Sequence, residues 1–171
     1  KLRETAEGYF LVGTNKYYLE DYQDAIANFN QAIKINPQLD NVYSNRSTVK
    51  IKLKDNQGAI NDANKALEIN HQNIYALVTR GIAKSGSGDY HGAIDDYNKA
   101  IEIDPKIAGF YNNRAAVKDK SGDYQGAIAD YNKAIEINPR YAGAYYNRGI
   151  AKSESGDYQG AIYDYNKAIE I

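Results

Sequence analysis

The sequence predicts an all-α protein, a stack of five antiparallel helix–turn–helix units, and three observations predict it. The string GDYQGAIADYNKAIEINP at 122–139 recurs as GDYHGAIDDYNKAIEIDP at 88–105 and as GDYQGAIYDYNKAIEI at 156–171, with looser copies at 20–37 and 54–71, always at a step of 34 residues. Within each copy the small and apolar residues fall three and four apart, which traces one face of a helix and not the alternation of a strand. Turn residues punctuate the pattern: Asp21, Asp55, Asp89, Asp123 and Asp157 stand before each apolar stripe, and Pro37, Pro105 and Pro139 follow three of the stripes. A constant step without insertion makes every unit the same length and its contact with the next one alike.

Counted so that these Asp residues hold repeat position 16, the units run 6–39, 40–73, 74–107, 108–141 and 142–171. The first unit carries the copy EDYQDAIANFNQAIKINP and ends at a Pro stop. The second, KDNQGAINDANKALEINH, has Asn56 where the others have Tyr, Ala63 where they have an aromatic ring, and His71 where three have Pro. Loss of such a ring from a core costs about 3 kcal/mol, so local opening is expected to concentrate there. The third and fourth units carry the nearly unchanged copies at 88–105 and 122–139. In the fourth, Tyr124, Ala127, Ile128, Tyr131, Ala134 and Ile135 form the stripe, with Asp123 as N-cap and Gly122 as the turn before it. The fifth shows the first helix well, from Ala142 to Glu154, with Tyr145, Gly149 and Ala151 toward its partner and small residues allowing close approach. This unit reads as truncated, with no polar capping helix after Ile171.

Composition narrows the function classes. A formal charge of −1 gives no global electrostatic reason to bind nucleic acid or an anionic membrane, and neither is expected as a partner. Cysteine is absent, which removes disulfides, thiol nucleophiles and thiolate metal sites, and fits a reducing, cytoplasmic setting. Apolar runs are far too short to insert into a membrane. The opening Lys1-Leu2-Arg3-Glu4 has neither initiator Met nor signal-peptide character and reads as a fragment boundary or a processed end. Tyrosine is over-used, 17 against 3 Phe and no Trp, which suits thin layers that half-bury a ring and leave its hydroxyl wet.

No constellation for catalysis is found, and no enzyme, metal or cofactor is expected. His71 lies at an inter-repeat turn and His91 near a helix start, neither with a second ligand at metal spacing. Asp95 and Asp96 are consecutive on a helix, so their carboxylates diverge instead of facing one cleft. The glycines of Gly86-Ser87-Gly88-Asp89-Tyr90-His91-Gly92 are turn residues of the repeat, without the preceding strand a phosphate loop needs. Asn45-Arg46-Ser47 is a formal glycosylation sequon inside a helix and is read as coincidence.

The unit resembles the tetratricopeptide repeat, with an aromatic at position 4 (Tyr9, Tyr43, Tyr111, Tyr145; Leu77 in the third unit) and small residues at position 8 (Gly13, Ser47, Gly81, Ala115, Gly149). Position 20 is Ala25, Ala59, Ala93, Ala127 and Ala161, and position 24 is Phe29, Ala63, Tyr97, Tyr131 and Tyr165. The style is that of tandem arrays in bacteria, cyanobacteria especially. The resemblance implies a right-handed superhelical solenoid. The departures are informative: Arg46, Arg80, Arg114 and Arg148 stand at position 7, where the family has an apolar residue, and Asp62, Asp96, Asp130 and Asp164 stand at position 23. The first unit has Val12 and Asn28 instead, so Arg and Asp disappear together and are expected to pair across the helix seam. The alternative is that Asp is solvated or meets the Lys at position 26 one turn on.

By the same resemblance the first helices line a concave face. Position 6 there is Leu11, Asn45, Thr79, Asn113 and Asn147, and an Asn amide offers both donor and acceptor to a peptide backbone. Ser44, Asn112, Tyr75 and Tyr146 flank that row. The implied function is a non-catalytic scaffold that binds an extended peptide or protein. The family's two-carboxylate clamp is disfavoured, because no cation occupies the matching positions Phe10, Thr14, Tyr75 and Thr79 or Ser44, Thr48, Gly109 and Asn113. Two alternatives remain: a regulatory part of a larger enzyme, and a homo-oligomer stacking through the uncapped last helix by way of Ala161, Tyr165, Ala168 and Ile169.

Overall fold

The computed structural model describes residues 4–171; Lys1 to Arg3, part of the segment read above as a boundary, lie outside the described residues. Ten α-helices and no strand occur among the described residues. They fall into two compact units, Lys1–Gly88 and Asp89–Ile171. The first unit holds α1 (Ala6–Tyr18), α2 (Tyr22–Ile35), α3 (Asp40–Lys52), α4 (Asn56–Ile69) and α5 (Ile74–Gly86). The second holds α6 (Tyr90–Ile103), α7 (Ala108–Lys120), α8 (Tyr124–Ile137), α9 (Ala142–Glu154) and α10 (Tyr158–Glu170).

Helix starts are set locally. Asp21, Asp55, Asp89, Asp123 and Asp157 each accept a hydrogen bond from the backbone N–H three residues on. In four of these the donor is a glycine, at 2.8 Å for Gly58 and 2.9 Å for Gly92, Gly126 and Gly160. A Cβ on Gly126 would stand 2.1 Å from the Asp123 carboxylate. In the first repeat the donor is Asp24, which has a Cβ, and the bond is stretched to 3.4 Å. The turn before each cap needs a left-handed residue, supplied by Gly88, Gly122 and Gly156 but by Glu20 at φ 59° and Lys54 at φ 62°.

The first unit packs α1 against α2 and α3 against α4, and sets α1, α3 and α5 side by side. Its core joins Ala25, Phe29, Ala32, Val42 and Val49 and, further on, Tyr43, Ala63, Ala66 and Ala76. The second unit packs α7 on α8 and α9 on α10, with α6 against α7, α8 against α9 and α7 beside α9. Its core joins Ala115, Ala127, Tyr131 and Ala151, and Ala108, Tyr111, Ala134 and Ala144. Close approach explains the small residues of the first helices: a Cβ on Gly13 would stand 2.7 Å from the Phe29 ring, and one on Gly149 2.6 Å from that of Tyr165.

The second repeat, with Ala63 in place of a ring, carries polar reinforcement at its end. Asp40 accepts from both Asn70 and Asn73, each at 2.9 Å, and Asn73 Oδ1 accepts from Ala76 N at 2.9 Å, capping α5. The residues preceding α3, α7 and α9 are Leu39, Ile107 and Tyr141, which make no such bond.

Candidate functional site

Two sets of side chains distinguish these repeats: a charged network in the helix seams and a row of amides and rings on the first helices. In the first unit, Arg46 donates through Nε to Asp62 Oδ2 at 2.8 Å and through Nη2 to Oδ1 at 2.5 Å. Its Nη1 donates to Asn30 Oδ1 on α2, and Lys50 Nζ reaches Asp62 at 2.8 Å. The guanidinium lies over the Tyr43 ring, 5.6 Å from its centre. One arginine thereby ties α3 to α4 and to the preceding α2.

The second unit repeats this twice. Arg114 holds Asp130 and Asn98, with Lys118 on the same carboxylate, and Arg148 holds Asp164 and Asn132, with Lys152. Asp164 is fully buried. Burial raises its pKa, but hydrogen bonds from Arg148 and Lys152 outweigh that and hold it below the usual carboxylate range. Arg80 donates to Asn64 at 2.7 Å, while Asp96 is buried in the other unit. Lys65, Lys133 and Lys167, at position 26, turn instead to Glu68, Glu136 and Glu170. In the first repeat, which has Val12 and Asn28, Lys16 pairs with Asp21 and Asp24. The sequence reading did not match the Lys at position 11 or the Asn at position 25 to the Arg and Asp: both recur in every repeat and do not vary with that pair.

On the first helices, the eight residues read as peptide contacts divide by exposure. Ser44 is buried, and its hydroxyl donates to Asn41 O at 3.1 Å. Thr79 is buried, and its hydroxyl donates to Tyr75 O at 2.9 Å. Both hydroxyls are engaged by their own helices. Asn112 is buried and accepts from Asn147 Nδ2 at 3.3 Å. Asn45 in the first unit and Asn113 and Asn147 in the second remain half-exposed. Tyr75 is 79% exposed and Tyr146 is 54% exposed, both presenting open rings.

Asp119 on α7 is half-buried, with Oδ1 lacking any partner. Burial, and secondarily the charge of Glu154, raise its pKa above the ordinary carboxylate value. Among the described residues, no three His, Cys, Asp or Glu side chains are grouped to hold a metal ion. No helix among them is long and apolar enough to cross a membrane.

Family models decide the kinship. The TPR repeat model matches residues 87–121 and 119–154, and tetratricopeptide repeat models match 6–39 and 142–171. The chain belongs to the tetratricopeptide repeat family. Proteins of this family are generally non-catalytic interaction scaffolds. No curated protein matches the sequence. Among solved structures, MamA is similar over 96% of this chain and 90% of its own, at 24% identity and a TM-score of 0.82. MamA from Desulfovibrio magneticus RS-1 matches over 96% and 93%, at 16% identity and a TM-score of 0.86. YrrB, described as a tetratricopeptide repeat protein with an unusual peptide-binding site, matches over 98% and 87%, at 18% identity and a TM-score of 0.76. At these identities the likeness concerns the fold.

Proposed function

We propose that this chain is a non-catalytic scaffold, each of whose two units holds an extended peptide, or an extended segment of a partner protein, on its own first helices. The observation that carries this reading is the set of half-exposed amides at one repeat position: Asn45 in the first unit, Asn113 and Asn147 in the second. An amide pairs with a peptide backbone whatever its side chains, so the repeat supplies affinity without fixing sequence. Tyr75 and Tyr146, rigid and amphipathic, add contact area at small entropic cost. Ser44 and Thr79 serve as supports in this reading, because their hydroxyls are already engaged by their own helices, and Asn112 orients the Asn147 amide by accepting one of its two N–H groups.

The test is selection of random dodecapeptides displayed on phage against the intact chain, followed by fluorescence anisotropy of a labelled winner. Changing Asn45, Asn113 and Asn147 together to Ala should weaken binding by at least tenfold while the thermal melt is kept. Undiminished binding by the triple variant means the amides are not the surface.

Self-assembly is favoured by one separate feature. An apolar cavity of about 420 Å³ opens on α9 and α10, lined by Ala142, Gly143, Tyr146, Tyr165, Ala168 and Ile169. Sedimentation across concentrations decides this reading: a monomer throughout removes it.

A further inference from the structure

We propose that a cavity among α1, α2 and α3 is a pocket for one apolar side chain of the bound peptide, and that it sets the peptide's register. The inference rests on the peptide-holding function proposed above. Thr14, Tyr17 and Tyr18 of α1, Phe29 of α2, and Asn45 and Thr48 of α3 line the cavity.

Its size selects the occupant. The volume is about 70 Å³. Sites for cofactors and drug-sized ligands run to roughly 300–1,000 Å³, so this one has room for a single side chain.

Its chemistry selects the kind of side chain. Phe29 is almost fully buried and forms a hydrocarbon surface, with the Phe10 ring 6.1 Å away behind it. Tyr17 is braced edge-on against Tyr18 at 5.5 Å and tilted against Tyr22 at 6.1 Å. The two threonine hydroxyls are engaged: Thr14 donates to Phe10 O at 2.9 Å and Thr48 to Ser44 O at 3.1 Å. No charged residue lines the wall, so a charged side chain entering it would lose hydration without compensation. The Asn45 amide, at the position proposed to hold peptide backbone, stands on the same wall. A backbone anchor beside an uncharged, ring-walled hole fits an extended chain, in which every second side chain points toward the surface beneath it.

The aromatic wall of the pocket belongs to the first repeat. Its Tyr17 and Tyr18 correspond to Ile51 and Lys52, Ser85 and Gly86, Asp119 and Lys120, and Ser153 and Glu154 in the later repeats. No later repeat can build the same aromatic wall. In the first unit position 6 carries an amide at Asn45 alone, between Leu11 and Thr79, so the pocket and the amide beside it mark a single place for the peptide. Tyr18 and the adjacent Leu19, each 76% exposed, give an arriving apolar residue a first foothold.

The test uses peptides selected from the random dodecapeptide library on the intact chain. They should share one Leu, Ile, Met or Phe at a fixed place, and replacing it with Ser should weaken binding by about tenfold to a hundredfold. Tyr18→Ser and Thr48→Lys should each weaken the apolar peptide and leave the Ser-substituted peptide unchanged, so the losses do not add. A purely structural role would weaken both peptides alike. Tyr18 is largely exposed, so its variant is expected to melt as the parent does. If the selected peptides share no apolar residue, or both pocket variants bind as the parent while the triple Asn variant fails, the pocket is wrong and the scaffold reading stands. If no peptide is enriched, or the triple Asn variant binds normally, both fall together.

Discussion

Arg114 grips Asp130 edge-on, with Nε 2.8 Å from one carboxylate oxygen and Nη2 2.6 Å from the other. The two residues stand sixteen apart, on the facing helices α7 and α8. Lys118 adds a contact at 2.8 Å, and the Asp130 side chain is only 8% exposed. A carboxylate so enclosed is stabilised by two cations and cannot lose them cheaply.

Removing one partner from this seam should therefore cost more than a surface ion pair. Arg114→Ala is expected to destabilise by about 3 kcal/mol, because it leaves Asp130 enclosed with Lys118 alone. Arg114→Lys should be only partly conservative, since an ammonium cannot make the two-bond fork. A double-mutant cycle on Arg114 and Asp130, read by denaturant unfolding, should give a coupling of about 1–3 kcal/mol. A coupling near zero would refute the seam as a stabilising element.

Opposite pH dependences are expected from two carboxylates of the second unit. Asp164 has its pKa held down, so its stabilisation is complete above the unfolded value near 3.8 and is lost as pH falls through the folded value. Asp119 has its pKa raised, so ionising it destabilises the fold, and stability is lost as pH rises through that value. Asp119→Asn should thus raise Tm at neutral pH and lose that advantage toward pH 3. Equal gains at both pH values would show that ionisation is not the cause.

Lys54 occupies a left-handed turn that three other repeats give to Gly. A Cβ in that conformation costs about 1 kcal/mol, partly offset by the greater chain entropy of glycine when unfolded. Lys54→Gly should raise Tm by about 2 °C in a scan of the intact chain. A lowered Tm would mean that the Lys side chain contributes a contact there.

Hydrogen exchange should rank the hairpins. Position 24 is the buried ring of Tyr131 in α8 but Ala63 in α4, a difference worth about 3 kcal/mol of packing where nothing fills the space. Amides in the middle of α4 should exchange faster than their counterparts in α8. The Asp40 clamp on Asn70 and Asn73 acts at the far end of α4, and protection should recover there. Equal exchange in the two helices would show that the second repeat has repacked fully around Ala63.

Much of the fold was legible because its determinants are short-range. The Asp caps, the left-handed turn residues and the Pro stops act within a few residues, and the 34-residue step propagates them. The joint absence of Arg and Asp at Val12 and Asn28 marked a relationship between positions 7 and 23, since one chain sampled both states. The Asn and Lys partners gave no such signal: Asn30 and Lys16 persist in the first repeat although its own Arg is missing.

By itself, then, the sequence determined the number, length and order of the hairpins and the residues that cap them, because those depend on neighbours along the chain. Which polar groups stay free was decided only in three dimensions. Thr79 and Asn45 hold the same repeat position, yet one bonds its own helix and the other keeps its amide open. The cavity beside Asn45 likewise arises from residues of three helices, and its volume depends on how closely those helices approach. That distance is set by packing between elements, which no local pattern encodes.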